Sequence, residues 1–123
     1  MAYETLGPLT HEVIGAAIDI HRELGPGFPE RIYARALHVE LRDRKLPYEA
    51  EQSVPIRYRS EVVGRHQLDL VVDSKLVVEL KAVPVINDLR IAQVLSYLRA
   101  SRKPLGLILN FSRSRMEIKR VAL

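Results

Sequence analysis

The sequence predicts an α/β fold in which helices flank a mixed central β-sheet, with the elements in the order ααβββαββ. Two observations lead to this prediction. In three segments, apolar residues recur at the spacing of one helix face. In five other segments, apolar residues alternate with polar ones or form an unbroken run, which is typical of strands. The 123 residues are 47% hydrophobic, and no linker rich in Pro, Gly or Ser divides them, so residues 1–123 are predicted to form a single domain.

Two helices are predicted at the amino-terminal end. Thr10 is expected to cap the first helix, which runs to about Leu24 and ends at a Gly-Pro-Gly turn. The second helix is expected to begin near Pro29 and to end near Arg44. The apolar residues on their inner faces are Val13, Ala16, Ala17, Ile20 and Leu24, then Tyr33, Ala34, Leu37 and Leu41.

Five strands and a third helix follow. Strands are predicted at residues 51–58, 62–72 and 76–83, and Pro55 places the first of them at a sheet edge or a bulge. Asn87 or Asp88 caps a helix that ends near Ser101. Residues 105–109 are almost all apolar, which is typical of a strand covered on both faces. Residues 116–121 are predicted to form the last edge strand.

Three charged residues interrupt strands that are otherwise apolar. Glu79 and Lys81 share a face because alternate residues of a strand do. A hairpin centred on Ser74 would make Asp69 the cross-strand neighbour of Glu79, with their Cβ atoms about 5 Å apart, whereas a slip of one residue would turn Asp69 away. Adjacent buried carboxylates repel each other, and Mg²⁺ or Mn²⁺ would relieve that conflict. The alternative is an exposed salt bridge between Glu79 and Lys81.

Two helices carry further candidate residues. Glu30 lies on the inward stripe of the second helix, where it either reaches the same metal site or stabilises the helix N-terminus. Tyr33, one turn on, either lines that site or is a core aromatic residue. Gln93 and Tyr97 lie one turn apart on the third helix, away from the predicted core stripe. They either contact phosphate oxygens or belong to a mixed outer face.

These motifs together resemble a known family. Residues 27–33 match the G-x-x-E-x-x-Y pattern of the GxxExxY proteins, and the Asp69, Glu79-x-Lys81 and Gln93-x-x-x-Tyr97 motifs follow in order. That family is placed in the PD-(D/E)XK nuclease superfamily, and the resemblance is closest to its RecB-like members. It implies a restriction-endonuclease-like core, acidic metal-site residues at Glu30, Asp69 and Glu79, and a catalytic lysine at Lys81. The backbone carbonyl of Leu80 would be a further metal ligand, while Gln93 and Tyr97 would support the site. Leu68 stands where the superfamily has its named Pro.

Other side chains offer weaker signals. His66 lies near Asp69 in the sequence and could approach the site, whereas the four histidines have no metal-ligand spacing. The net charge is +4, which attracts polyanionic partners but is also common among small soluble proteins. Basic residues that could track phosphates, or that simply lie on solvated strand ends, are Arg99, Arg102, Lys103, Arg113, Arg115, Lys119 and Arg120.

The resulting hypothesis is a Mg²⁺- or Mn²⁺-dependent nuclease that cleaves nucleic acid, with DNA expected before RNA. The alternatives are a module that binds nucleic acid or protein without catalysis, and a dimeric junction resolvase that prefers branched DNA. A homodimer fits the small size of the chain. The absence of cysteine, of a long apolar run and of a signal pattern makes a cytoplasmic location without membrane attachment the expectation.

Overall fold

A computed structural model describes residues 6–123. Its three helices and five strands follow the predicted order ααβββαββ. The helices are α1 (Gly7–Leu24), α2 (Glu30–Asp43) and α3 (Asp88–Ser101), and the strands are β1 (Tyr48–Tyr58), β2 (Glu61–Val72), β3 (Leu76–Lys81), β4 (Leu105–Asn110) and β5 (Glu117–Ala122). No helix within residues 6–123 has the length and apolar character needed to cross a membrane.

The five strands form one mixed sheet in the order β1-β2-β3-β4-β5. The β3–β4 pair is parallel and the other three pairs are antiparallel. Both central strands are buried along almost their whole length, which confirms that residues 105–109 form a strand covered on both faces. Pro55 lies in the edge strand β1, where a missing backbone N–H costs no internal strand pairing.

Helices cover both faces of the sheet. α1 and α2 pack on one face, against a core cluster that includes Val78 and Leu80 of β3. α3 packs on the other face, against a second cluster that includes Val77 of β3 and Ile108 of β4. Because neighbouring residues of β3 enter different clusters, Glu79 lies on the α3 face, two residues from Val77.

Some predicted boundaries differ from the structure. Thr10 does not cap α1, because the helix already begins at Gly7 and Thr10 is buried inside it. β1 begins at Tyr48, three residues before the predicted start, and β5 lies one residue later than predicted. β3 ends at Lys81, two residues before the predicted end. Beyond it, the Asn110 side chain replaces a strand partner by accepting from the Val83 N–H at 3.1 Å and donating to the Val83 carbonyl at 2.8 Å.

β1 and β2 extend well beyond the rest of the sheet. They pair with each other from Tyr48–Val72 to Tyr58–Glu61, but β2 pairs with β3 only over residues 70–72. We call residues 53–67 the ribbon, since strand pairing there joins only β1 and β2. The ribbon contains a bulge where the register shifts between Ile56 and Arg57.

Candidate functional site

Asp69 and Glu79 lie at the end of the β2–β3 hairpin. Val72 pairs with Leu76 and Leu70 pairs with Val78, so the hairpin is centred on Ser74, as predicted. Pairing between β2 and β3 stops at the Leu70–Val78 pair. Asp69 and Glu79 occupy the next position on their two strands. Asp69 Oδ2 accepts a hydrogen bond from the Leu80 N–H at 3.1 Å. The Asp69 carboxylate therefore fills the gap where the two strands separate.

The Glu79 carboxyl is deeply buried. The residue is 3% exposed, and its Oε1 atom has no hydrogen-bond partner within residues 6–123. Burial, followed by the hydrogen bond and the charge of Asp69, raises the pKa of Glu79 to about 9, although the positive charge of Lys81 opposes the shift. At neutral pH, without a cation, Glu79 therefore carries a proton.

Lys81 follows Glu79 on the same face of β3 and is half-buried. Within the described part of the chain, its ammonium group forms neither an ion pair nor a hydrogen bond. The alternative of an exposed Glu79–Lys81 salt bridge is therefore wrong, because Glu79 is in the core. Lys81 is left as a positive charge beside two acids.

Glu30 approaches the sheet from the first turn of α2. The residue is exposed, but its Oε1 atom accepts a hydrogen bond from the Ala82 N–H at 3.2 Å, just beyond Lys81. Glu30, Asp69 and Leu80 line one pocket of about 580 Å³ between α2 and the sheet, together with Arg31, Arg35, His38 and Glu51. The Glu30 side chain thus reaches the site end of the sheet.

The three predicted acids do not form one cluster. Asp69 contacts Glu79 and also shares the pocket with Glu30, whereas Glu79 lies on the α3 face of the sheet. Among residues 6–123, no three His, Asp or Glu side chains are arranged to hold a metal ion. The structure therefore brings together two of the acids predicted as metal ligands, with the third at the pocket rim.

The Leu80 carbonyl faces the same gap as Asp69. The N–H and C=O of one strand residue point to the same side, and the Leu80 N–H points to Asp69. The neighbouring Lys81 carbonyl points the other way and accepts from the Phe111 N–H at 3.0 Å. Leu80 can therefore offer an oxygen beside the two carboxyls.

These residues fit a divalent cation. The unpartnered Oε1 atom of Glu79 needs a donor or a cation, and the carboxyl groups of Asp69 and Glu79 lie together at a cost that a cation would remove. Carboxylate and carbonyl oxygens are the ligands that Mg²⁺ and Mn²⁺ prefer. Asp69, Glu79 and Leu80 are the groups available to hold such an ion.

Tyr97 and His66 form a stacked pair on the α3 side of the site. Their ring centroids are 3.6 Å apart and their planes differ by 12°. Burial, then the charges of Glu79 and Asp69, raises the pKa of the Tyr97 hydroxyl. Burial lowers the pKa of His66, while the charge of Asp69 opposes that shift and the charge of Lys81 reinforces it. Tyr97 therefore faces the site rather than an outer surface.

Gln93 lies one turn before Tyr97 and is exposed. Within the described residues its side chain makes no hydrogen bond, although its backbone carbonyl accepts one from the Ser96 hydroxyl at 2.6 Å. The structure does not bring Gln93 into contact with the acids. Its amide remains free for a molecule that approaches along α3.

The sequence made His66 a weaker candidate for the site because it lies near Asp69 along the chain. Regular alternation would put these two residues on opposite faces of β2. The structure breaks that alternation: Leu68 and Val71 both enter the α3-side cluster, while Leu70 enters the other. Glu51, which lies opposite Asp69 between the Ala50–Leu70 and Gln52–Leu68 pairs, has the left-handed φ of 57°. Asp69 thus lies at a local irregularity of both strands.

Tyr33 has a structural position. It is 0% exposed and stacks on Phe111, with the ring centroids 4.4 Å apart. Its hydroxyl donates to the Gly25 carbonyl at 2.6 Å and accepts from the Phe28 N–H at 3.2 Å. The prediction that Tyr33 binds substrate is contradicted by this burial, and the alternative of a core aromatic residue is the correct one. Tyr33 fixes the turn that leads into α2 and Glu30.

Two polar residues that the sequence patterns did not reveal hold the segment between β3 and α3. Asn110 Nδ2 donates to Glu117 Oε1 at 2.9 Å, and the same oxygen accepts from the Ile86 N–H at 3.0 Å. Burial acts to raise the pKa of Glu117, but the hydrogen bonds from Asn110 and Ile86, together with the charges of Arg113 and Lys119, outweigh it and lower the pKa. An Asn that ends an all-apolar strand was the available signal. This network fixes the start of α3 relative to Lys81.

Comparison with known proteins gives one result at the level of a family. The model of a family described as PD-(D/E)XK nuclease superfamily matches residues 7–121. No curated protein and no solved structure matches the chain. The matched segment covers nearly the whole sequence, including both acids of the hairpin and Lys81. The chain therefore belongs to the PD-(D/E)XK nuclease superfamily.

Proposed function

We propose that this protein is a divalent-metal-dependent nuclease that hydrolyses phosphodiester bonds. The observation that carries the proposal is the Asp69–Glu79 pair, with a buried Glu79 oxygen that lacks a partner within residues 6–123 and with Lys81 two residues further along the same strand. Burying two adjacent carboxyl groups costs free energy, so a function is the best explanation for keeping them. Membership of a nuclease superfamily indicates which function that is.

Each residue has a proposed role. Asp69, Glu79 and the Leu80 carbonyl hold Mg²⁺ or Mn²⁺, and Glu30 completes the acidic set from α2. The bound ion would supply Lewis-acid polarisation of a phosphoryl oxygen and lower the pKa of water. Lys81 orients the attacking water and offsets the negative charge that develops on the phosphoryl oxygens. The water gives up its proton to bulk solvent as its oxygen bonds to phosphorus. The P–O bond to the leaving oxygen breaks on the opposite side of the phosphorus atom, and the leaving oxygen takes a proton from solvent.

The α3 side of the site is proposed to position the substrate. The Tyr97 hydroxyl donates to a phosphate oxygen, and the stack with His66 limits the rotation of the Tyr97 ring. Gln93 is exposed one turn away and can contact a neighbouring phosphate. DNA is the substrate we would test first. Assignment to the GxxExxY proteins, and assembly as a homodimer, belong to the same proposal.

Cleavage assays with matched variants test the proposal. We would incubate single-stranded, duplex and branched DNA, and RNA, with Mn²⁺, Mg²⁺ or EDTA. Lys81→Ala and Glu79→Gln should each lower the cleavage rate by about 10²-fold or more, since each removes a group that acts in the transition state. Lys75→Ala is the matched control, because Lys75 is exposed in the turn of the same hairpin. That variant should cleave at the wild-type rate.

Two results would contradict the proposal. Cleavage by Lys81→Ala at the wild-type rate would remove Lys81 from the mechanism. Binding of nucleic acid without cleavage of any substrate would favour the non-catalytic interaction module, in which the acids are part of an inherited scaffold. Selective cleavage of branched DNA by a dimer would instead identify a junction resolvase.

A further inference from the structure

A second polar groove lies between the ribbon and α3. It has a volume of about 320 Å³, and its lining includes Ile56 and Arg57 of β1 together with Ser96, Arg99 and Arg102 at the C-terminal end of α3. The bulge after Ile56 sets the direction of Arg57. Arg102 caps α3 in the left-handed conformation, with a φ of 57°. Two elements that are distant in the sequence thus bring three arginines to one groove.

The three arginines form no ion pair within residues 6–123. None of their guanidinium groups forms an ion pair or a hydrogen bond with another described side chain. Arg44, in contrast, binds Glu12, Asp19 and Glu40 at 2.7, 2.9 and 3.3 Å. Three positive charges that share a groove repel one another, so an anion is the ligand that would stabilise them.

The groove adjoins the α3 side of the candidate active site. Ser96 and Ala100 line it, and both lie within one turn of Tyr97 on α3. The ribbon wall of the groove leads to His66, which pairs with Val54 and stacks on Tyr97. A chain of phosphates that enters the groove would therefore pass Tyr97 before it reaches Asp69 and Glu79.

We propose that the groove formed by Arg57, Arg99 and Arg102 binds the phosphodiester backbone of the substrate, a few nucleotides away from the bond that is cleaved. The proposal rests on the proposed nuclease function for the identity of the anion. Guanidinium groups suit this ligand because each can donate two parallel hydrogen bonds to one phosphate. The contact is with the backbone, so it should not depend on base sequence.

The test measures binding separately from cleavage. Fluorescence anisotropy in EDTA would follow labelled duplex DNA, single-stranded DNA and RNA at several salt concentrations. The combined variant Arg57→Gln, Arg99→Gln and Arg102→Gln would be compared with a combined control, Arg22→Gln, Arg42→Gln and Lys45→Gln, which removes three exposed cations from α1 and the end of α2. Circular dichroism melts and light scattering would check that both variants keep the fold and the oligomeric state.

The groove variant should bind less tightly than the control. The plot of log association constant against log salt concentration should also have a shallower slope for the groove variant. The difference should be about 0.9 for each phosphate of duplex DNA that is no longer neutralised, or about 0.7 for each phosphate of a single strand. The nucleic acid whose affinity falls more identifies the substrate class.

Equal affinities and slopes for the two variants would overturn the proposal, even if wild-type cleavage were normal. A wild-type protein that binds none of the three nucleic acids would also overturn it. A changed oligomeric state of the groove variant would count against it too, because the groove would then be a contact between copies of the chain.

Discussion

Glu79 shows most clearly how a single residue links stability to function. A carboxyl group that is 3% exposed and adjacent to Asp69 is stable only when it is protonated or bound to a cation. A nonfunctional strand would be more stable with an apolar residue at this position. The cost of burying Glu79 is therefore the strongest reason to assign it a chemical role.

The titration of Glu79 predicts how the stability of the metal-free protein depends on pH. The folded pKa is about 9 and the ordinary value is 4.5, so between these values the folded state binds more protons than the unfolded state. The free energy of unfolding must then fall as the pH rises through this window. Glu79→Gln removes the titration while keeping the shape of the side chain. We expect the variant and the wild type to be similarly stable near pH 5, and the variant to be more stable, by on the order of a few kcal/mol, near pH 8 to 9.

Urea denaturation in EDTA at a series of pH values would measure this difference. The variant Glu61→Gln is the control, because Glu61 is exposed at the turn of the ribbon and should leave the pH dependence of the wild type unchanged. If the stabilities of Glu79→Gln and the wild type differed by a constant amount at all pH values, Glu79 would titrate alike in the folded and unfolded states. The argument from burial would then be wrong.

At the scale of the elements, local patterns in the sequence predicted most of the fold. Apolar periodicity was sufficient for the order of the helices and strands, and the turn at Asp73 and Ser74 was sufficient for the register that makes Asp69 and Glu79 neighbours. The end of β3 could not be predicted in this way, since it depends on Asn110, 27 residues beyond Val83. The position of His66 beside the candidate site depends on the backbone irregularity at Asp69 and Glu51. No local pattern in the sequence predicts that irregularity.

The same distinction explains the predictions for α2. Sequence spacing correctly placed Tyr33 on the inner face, but spacing does not distinguish a core position from a site position. The hydrogen bonds of its hydroxyl to the turn between α1 and α2 decide the matter, and they are contacts between separate elements. Glu30 shares that face, yet it lies at the helix end, where the side chain can leave the core and reach Ala82.

The packing of α3 on β4 depends on Gly106. A Cβ atom at this position would lie 2.9 Å from Val94 Cγ1 and 3.5 Å from both Leu98 Cδ2 and the Val77 carbonyl. Because Val is β-branched and stiff, α3 would have to move to make room. Gly106→Ala should therefore destabilise the protein by about 1–3 kcal/mol, and it should lower cleavage as well, since α3 carries Tyr97.

Chemical denaturation and the cleavage assay would test this prediction together. Gly64→Ala is the matched control, because Gly64 is also in a strand but a Cβ atom there has no neighbour within 4 Å. Gly64→Ala should be neutral or slightly stabilising, since glycine costs about 0.5–1 kcal/mol relative to alanine in a strand. Equal stability of the two variants would show that α3 is not held closely against Gly106.

On the scale of the whole molecule, the candidate site lies where a packed body meets an extended ribbon. The central strands are covered on both faces by helices, whereas the outer part of the ribbon exposes Ile56, Tyr58, Val62 and Val63. A two-stranded segment that pairs with no third strand has little independent stability. Its base carries His66 and lies next to Asp69, so the order of the ribbon and the geometry of the site are connected.

This arrangement predicts a difference in local stability that hydrogen exchange can measure. Amide groups of the ribbon should exchange through local opening at low free-energy cost, whereas those of β3 and β4 should exchange only at a cost close to that of global unfolding. If the groove beside the ribbon binds a phosphate backbone, nucleic acid added to the Lys81→Ala variant in EDTA should slow exchange in the ribbon and at the C-terminal end of α3 and leave α1 unchanged. Protection confined to α1 and α2 would instead place the nucleic acid on the opposite face of the sheet. In the free protein, equal exchange rates in the ribbon and the central strands would show that the ribbon is as stable as the rest of the sheet.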